Sequence, residues 1–356
     1  MDRPTVEVYE QHATEWARRR PPVYRARAAA LGLRALPDLA VGDLGCGPGV
    51  YLADLGPRTV ALDAAAAMLA LARRQAPGAP TVQADLEALP LRDRSLGGAW
   101  ASNSYLHVPR ERLPTALAQL HRAMAVGAPL ALSVVAGDRE GPWPGDDFPG
   151  RIFSYWRPDA LAGVLTGAGF EVAGAEADGE RVWADAVRAR TLPDTVGPGM
   201  RVLVCGLNPS VVSADAGFAY AGRSNRFWPA AVAAGLVTRP RDPLGCLAED
   251  GVGITDLVKR ATPNAAQVSG EEFRAGAQRV RQLVEWLRPR VVLFVGLAGW
   301  RVAVDRDARA GLQPDTFGGA PAYVMPSTSG LNAHSGPAQL RRHMEEALAV
   351  ASSVPT

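Results

Sequence analysis

With 356 residues, 47% of them apolar, and a formal net charge of only +2, the chain has material for two domains of ordinary size and no global basic field. A nucleic-acid partner would have to be met by a local patch rather than by bulk charge. Three cysteines, Cys46, Cys205 and Cys246, none in a C-x-x-C pair, exclude a disulfide framework and are too few for a four-thiolate iron–sulfur cluster, and no metal is expected.

The start, MDRPTVEVYEQ, has acids and no apolar h-region, and no apolar run reaches the length of a membrane span. A cytoplasmic protein without a membrane partner is therefore expected, and a monomeric state is expected beside it. Strands are predicted at 40–44, 58–62, 80–83, 97–101, 128–135 and 170–176, and helices at 21–35, 64–75, 110–125 and 157–168. The stretch TLPDTVGPGM, 191–200, is rich in Pro, Gly and Thr and reads as a linker, so domains are expected at 1–190 and 191–356. Beyond it, strands are predicted near 201–205, 291–295 and 322–325, and helices near 226–234, 270–287 and 337–349. The helix GEEFRAGAQRVRQLVEWL has an apolar and a charged face, as a solvated amphipathic helix does. Alternation at this spacing argues for α/β architecture with parallel sheets in both halves.

In the first half, VGDLGCGPG puts Gly45, Gly47 and Gly49 at alternate positions after a strand, where backbone can approach a ligand closely. The next strand ends at Asp63, where a carboxylate can accept two ribose hydroxyls. A third ends at Asp85, where one can meet an adenine amino group. Over about residues 5–180 this pattern resembles the class I S-adenosylmethionine-dependent methyltransferases, whose fold is a Rossmann-like sheet. The resemblance implies that S-adenosyl-L-methionine is the cofactor. It puts the loop with Asp43, Gly45, Cys46, Gly47 and Gly49 at the methionine part, Asp63 at the ribose, and Asp85 and Leu86 by the adenine. The segment SNSYLH, 102–107, follows the fourth strand and looks more like small-molecule methyltransferases than DNA methyltransferases. The methyl acceptor is not readable.

In the second half, RVLVCGLNPS repeats the grammar of strand, turn and helix. By itself Asn-Pro is turn chemistry. From about 193 to 350, however, the chain resembles the mismatch-specific uracil/thymine-DNA glycosylases of the uracil-DNA glycosylase superfamily. Four segments carry this in order: CGLNPS; GFAY with SNRFW (217–228); GVGITDLVKRATP (251–263); and MPSTSGL (325–331). The resemblance implies an α/β/α sandwich and needs no cofactor. It implies a base pocket of Leu207, Ser210, Phe218 and Tyr220, with Tyr220 stacking on a base flipped out of the duplex. The loop of Ser327, Ser329, Gly330, Leu331, Asn332 and His334 would enter DNA, with Leu331 as an apolar wedge. Gly330 and Asn332 would face the widowed guanine of a double-stranded substrate with U or T mismatched to G.

Cutting a base from deoxyribose needs a water at C1′ and donors for the departing base. Asn208 offers a non-titrating carbonyl acceptor for the water, Pro209 stiffens its turn, and N–H groups near Leu207 and after Pro209 can face the base. Ser210 stands where the family usually has glycine, putting a side chain at the pocket, and Asn332-Ala333-His334 stands where relatives often carry arginine. Lys259 is the only lysine in the chain and sits in the middle segment, away from CGLNPS and MPSTSGL, so a monofunctional enzyme is expected. The reading is a glycosylase fused to a methyltransferase. Its alternative is a methyltransferase carrying a degenerate glycosylase-fold module that binds nucleic acid.

Overall fold

The computed structural model describes residues 2–332 and 334–354. They fall into two units, the first ending at Ala189 and the second beginning at Arg190.

The first unit opens with two helices, α1 (Arg3–Arg19) and α2 (Arg25–Arg34). The Asp2 carboxylate accepts from Thr5 N at 2.9 Å and starts α1. Then follow β1 (Ala40–Leu44), β2 (Thr59–Asp63), α3 (Ala66–Gln75), β3 (Thr81–Gln83) and β4 (Leu96–Ser102). After them come α4 (Leu113–Ala123), β5 (Pro129–Ala136), β6 (Glu140–Gly141), β7 (Phe153–Trp156), α5 (Pro158–Gly167), β8 (Phe170–Asp178) and β9 (Arg181–Arg188). The order β3-β2-β1-β4-β5 is parallel; β9 runs antiparallel to β5 and pairs with β8. β4 and β5 are buried along almost their whole length, as strands covered on both faces must be.

In the second unit the elements are β10 (Val202–Gly206), α6 (Val211–Ala216), α7 (Phe227–Ala233), α8 (Pro243–Asp250), β11 (Val252–Asp256) and α9 (Gly270–Leu287). The chain goes on through β12 (Val292–Val295), α10 (Leu297–Ala303), β13 (Gly311–Phe317), β14 (Ala320–Met325) and α11 (Pro337–Ser353). The sheet order is β11-β10-β12-β14-β13, parallel but for β13. Apolar clusters cover both faces. One holds Phe227, Trp228 and Met344, the other Phe273, Phe294 and Trp300. Gly206 pairs with Asp256 in register, so β10 and β11 end side by side. A buried charge cluster ties the end of β11 to α9. Asp194 accepts from Lys259 Nζ at 2.8 Å, from Arg279 at 2.5 Å and from the Thr255 hydroxyl at 2.6 Å.

Candidate functional site

Both candidate sites sit where parallel strands end, the usual place for ligands in open α/β sheets. In the first unit a cavity of about 520 Å³ is lined by Asp43, Gly45, Cys46, Gly47, Asp63 and Leu86 among others. Gly45 has φ 72°, and a Cβ there would collide with Ser104. Gly47 has φ 53° and nothing nearer to its absent Cβ than Trp16 at 3.6 Å, so it leaves the loop open toward the cavity. Asp63 accepts from Gly47 N and from Ala65 N, both at 2.9 Å, and thereby fixes the loop.

Two expected residues lie elsewhere. Gly49 packs against Leu52 and Ala72 rather than lining the cavity. Asp85 turns its carboxylate to Glu87 N, 2.9 Å away, and also stays off the cavity wall.

The electrostatics of the cavity wall at Asp43 and Asp63 favour a cation. Burial and the nearby Asp63 push the Asp43 carboxyl up to about 8, and burial raises Asp63 to about 6. Asp43 Oδ2 is buried without a hydrogen-bond partner among the described residues. A sulfonium or ammonium group would restore both carboxylates, so the residues fit S-adenosylmethionine. His107, on the wall, is neutral: burial lowers it to about 4. Its Nδ1 donates to Ile152 O and its Nε2 accepts from the Tyr9 hydroxyl, each at 2.7 Å.

In the second unit the backbone leaving β10 is stitched to the loop leaving β11. Leu257 N donates to Gly206 O, Val258 N to Leu207 O, and Thr262 N to Pro209 O. Asn208 Nδ2 donates to Arg260 O at 3.0 Å, to Thr262 Oγ1 at 2.8 Å and to Pro209 O at 3.2 Å. Two of these acceptors are carbonyls, so the amide nitrogen must face them and Oδ1 is left as the free acceptor. The N–H groups of Leu207, Asn208 and Ser210 have no acceptor among the described residues. The Ser210 hydroxyl accepts from Ser213 N at 3.1 Å and caps α6, which uses up the side chain that departs from glycine.

Tyr220 holds φ 59° and stacks on Phe227 with ring centroids 4.0 Å apart. Phe218 faces Trp228 and Arg241 and packs on the core. Leu331 is 91% exposed, the extreme for a large apolar residue in this chain's described part. Its loop is nonetheless held firmly. Asn332 Nδ2 donates to Ser327 O (2.8 Å), Ser329 N to Ser327 Oγ (3.2 Å), Leu331 N to Ser329 Oγ (3.3 Å), and His334 N to Asn332 Oδ1 (3.2 Å). Gly330 fits under Ser224, where a Cβ would lie 2.5 Å from the Ser224 Cβ.

Two residues of the matched segments have roles here that the sequence reading did not assign. Arg226, half-buried, donates to the carbonyls of Ser335 (2.6 Å), Ser329 (3.0 Å) and Asn332 (2.6 Å), and so binds the exposed loop from below. Asp256 ends β11 and is 5% exposed, with no donor to its carboxylate among the described residues. Burial pushes it up to about 6, against the pull of Lys259. A Cβ on Gly206 would collide with it and lie 3.1 Å from the buried Tyr220 hydroxyl. Its place beside CGLNPS depends on strand pairing, which one sequence does not display.

Residues 193–350 match the family model of the uracil DNA glycosylase superfamily, and residues 41–127 match a methyltransferase domain. The chain thus carries both domains, a Rossmann-like methyltransferase sheet followed by a uracil-DNA glycosylase-like α/β unit. Among solved structures, the DhpI complex with SAH is 24% identical, covering 52% of this chain and 96% of that one, with a TM-score of 0.44. A chain from the complex of the Haloferax volcanii Trm112 methyltransferase activator with a putative methyltransferase is 14% identical, covering 52% and 97%, TM-score 0.43. The 1,6-didemethyltoxoflavin-N1-methyltransferase of Burkholderia thailandensis is 20% identical, covering 52% and 85%, TM-score 0.41.

Two outcomes follow from this geometry. Arg226→Met removes three charge-assisted bonds, and amides 329–332 should exchange at least tenfold faster with deuterium while the β10 and β12 amides do not change. Asp256 has a folded pKa above its unfolded one, so its ionisation opposes folding above about pH 6 and ceases to do so as the pH falls toward 4. Asp256→Asn should therefore stabilise the second unit by about 2 kcal/mol at pH 7.5 in denaturant unfolding, with the gain shrinking below pH 6.

Proposed function

We propose that the second unit is a monofunctional DNA glycosylase that removes uracil, and thymine, mispaired with guanine, and that the first unit is an S-adenosylmethionine-dependent methyltransferase. The observation that carries the glycosylase reading is the fixed Asn208 amide, whose Oδ1 is free to accept from a water. That water attacks C1′ of the flipped nucleotide as the N–C1′ bond breaks. Negative charge then grows on the base, and the N–H groups of Leu207 and Ser210 are its donors. An amide is a weak proton acceptor beside a carboxylate, so the enzyme depends on a good leaving group and is slow.

The face of Tyr220 turned away from Phe227 receives the flipped base. Leu331, exposed on a held loop, fills the gap in the stack, and less stable pairs such as U·G and T·G cost less to open. Lys259 is bound to Asp194 and its side chain is 10% exposed, which supports hydrolysis over lyase chemistry. In the first unit the Asp43–Gly47 loop and Asp63 hold S-adenosylmethionine, which when bound supplies the methyl group. Among the described residues no helix is long and apolar enough to cross a membrane.

The test is incubation with duplexes carrying U·G, T·G or U·A, and with single-stranded uracil, followed by alkaline cleavage of abasic sites. U·G should be cut fastest, and Asn208→Ala should slow it by about a hundredfold. Borohydride should trap no covalent adduct. Cutting of no substrate, with Asn208→Ala indistinguishable from wild type, would leave the second unit a nucleic-acid-binding module.

A further inference from the structure

Four arginines line the cavity of the first unit: Arg19, Arg20, Arg151 and Arg181. Three have carboxylate partners. Arg19 and Arg20 reach Asp147 at 3.5 and 2.6 Å, and Arg151 is clasped by Asp146. Arg181 has none within ion-pair distance among the described residues. Among the described residues its guanidinium makes a single hydrogen bond, to the backbone carbonyl of Glu180, its own neighbour, at 3.3 Å. It is half-buried, and desolvation pulls its pKa below the ordinary arginine value.

The setting of Arg181 is fixed. Its guanidinium lies over the Trp143 indole, 4.9 Å from the ring centroid, and Trp143 is backed in turn by Phe153 at 5.6 Å. Arg181 opens β9 opposite Val135, near the C-terminal end of β5, at the same end of the parallel strands as the glycine loop. A cation taken from water without a counter-ion is costly, and a stacked guanidinium keeps an in-plane fork of N–H donors that matches a planar or tetrahedral oxyanion.

We propose that Arg181 receives an oxyanion on the methyl acceptor, so the first unit methylates a small molecule bearing a carboxylate, phosphate or phosphonate. This rests on the methyltransferase reading of the same cavity. Trp143 is the platform that holds the guanidinium in place. The paired arginines close the wall around it and leave one positive position for the ligand.

The experiment is calorimetry on the full chain saturated with S-adenosylhomocysteine. Benzoate and phenylphosphonate are the anionic probes, and benzamide and acetophenone their uncharged counterparts. At least one anion should bind and the uncharged probes should not; which anion binds separates carboxylate from phosphonate recognition. Arg181→Met should weaken that anion at least tenfold and Arg181→Lys less, while S-adenosylhomocysteine binds all three proteins equally. That equality also shows that the variants are folded. The proposal is overturned if no anion binds, if the uncharged probes bind as well, or if Arg181→Met leaves anion binding unchanged. It is also overturned if Arg181→Met loses S-adenosylhomocysteine, because Arg181 then serves the cofactor's own carboxylate. A wild-type chain that does not bind S-adenosylhomocysteine defeats the methyltransferase reading itself, and this inference with it.

Discussion

The backbone ladder between β10 and β11 does not stop where the strands stop. It runs on through Leu257–Gly206, Val258–Leu207 and Thr262–Pro209, and the Asn208 side chain joins it through Arg260 O and Thr262 Oγ1. A free amide in water has no reason to prefer either flip. Here the carbonyl of Arg260 can only accept, so the nitrogen is assigned by chemistry and the oxygen is presented. Pro209 restricts the same turn, and Ser210 spends its hydroxyl on the start of α6. Gly206, Leu207, Pro209 and Ser210 therefore each orient Asn208 or anchor one side of it.

Burial alone does not decide what the carboxylates of this chain do. Asp194 and Asp256 are both buried and lie near the same Lys259 and Arg279, yet they move in opposite directions. Asp194 is held below the ordinary range by direct bonds to both cations, whereas Asp256, without such bonds, is raised to about 6. The first unit has the same division. Asp146 and Asp147 are matched by arginine, while Asp43 and Asp63 share a wall that no described cation neutralises. Uncompensated charge marks where ligand is expected, and compensated charge marks scaffold.

Much of this was legible in the sequence. β1, β12 and α9 lie within a residue of their predicted bounds because their signals are local: an apolar run ended by glycine, or the Ser269–Glu272 capping box. Helix α1 was missed because its apolar stripe, Val6, Tyr9, Ala13 and Trp16, is thin and set among charged residues. β11 was missed because VGITD, short and half polar, becomes a buried strand through pairing with β10. β9 was missed although it completes the sheet beside β5. At the sites, Asn208, Leu331 and the glycine loop have motif signatures. Arg226 and Asp256 lie inside matched segments and Arg181 in none, and the roles of all three come from contacts with segments distant in the chain, as far as 109 residues for Arg226, or from partners they lack.

The central claim is that Asn208 works because neighbouring acceptors fix its orientation. The most direct measurement is single-turnover release of uracil from a U·G duplex by wild type and Thr262→Val, with duplex affinity measured in parallel. Thr262→Val removes one acceptor of Asn208 Nδ2 and touches no other proposed reacting group. The account predicts a rate lower by about tenfold with duplex affinity unchanged. A rate equal to wild type would contradict it.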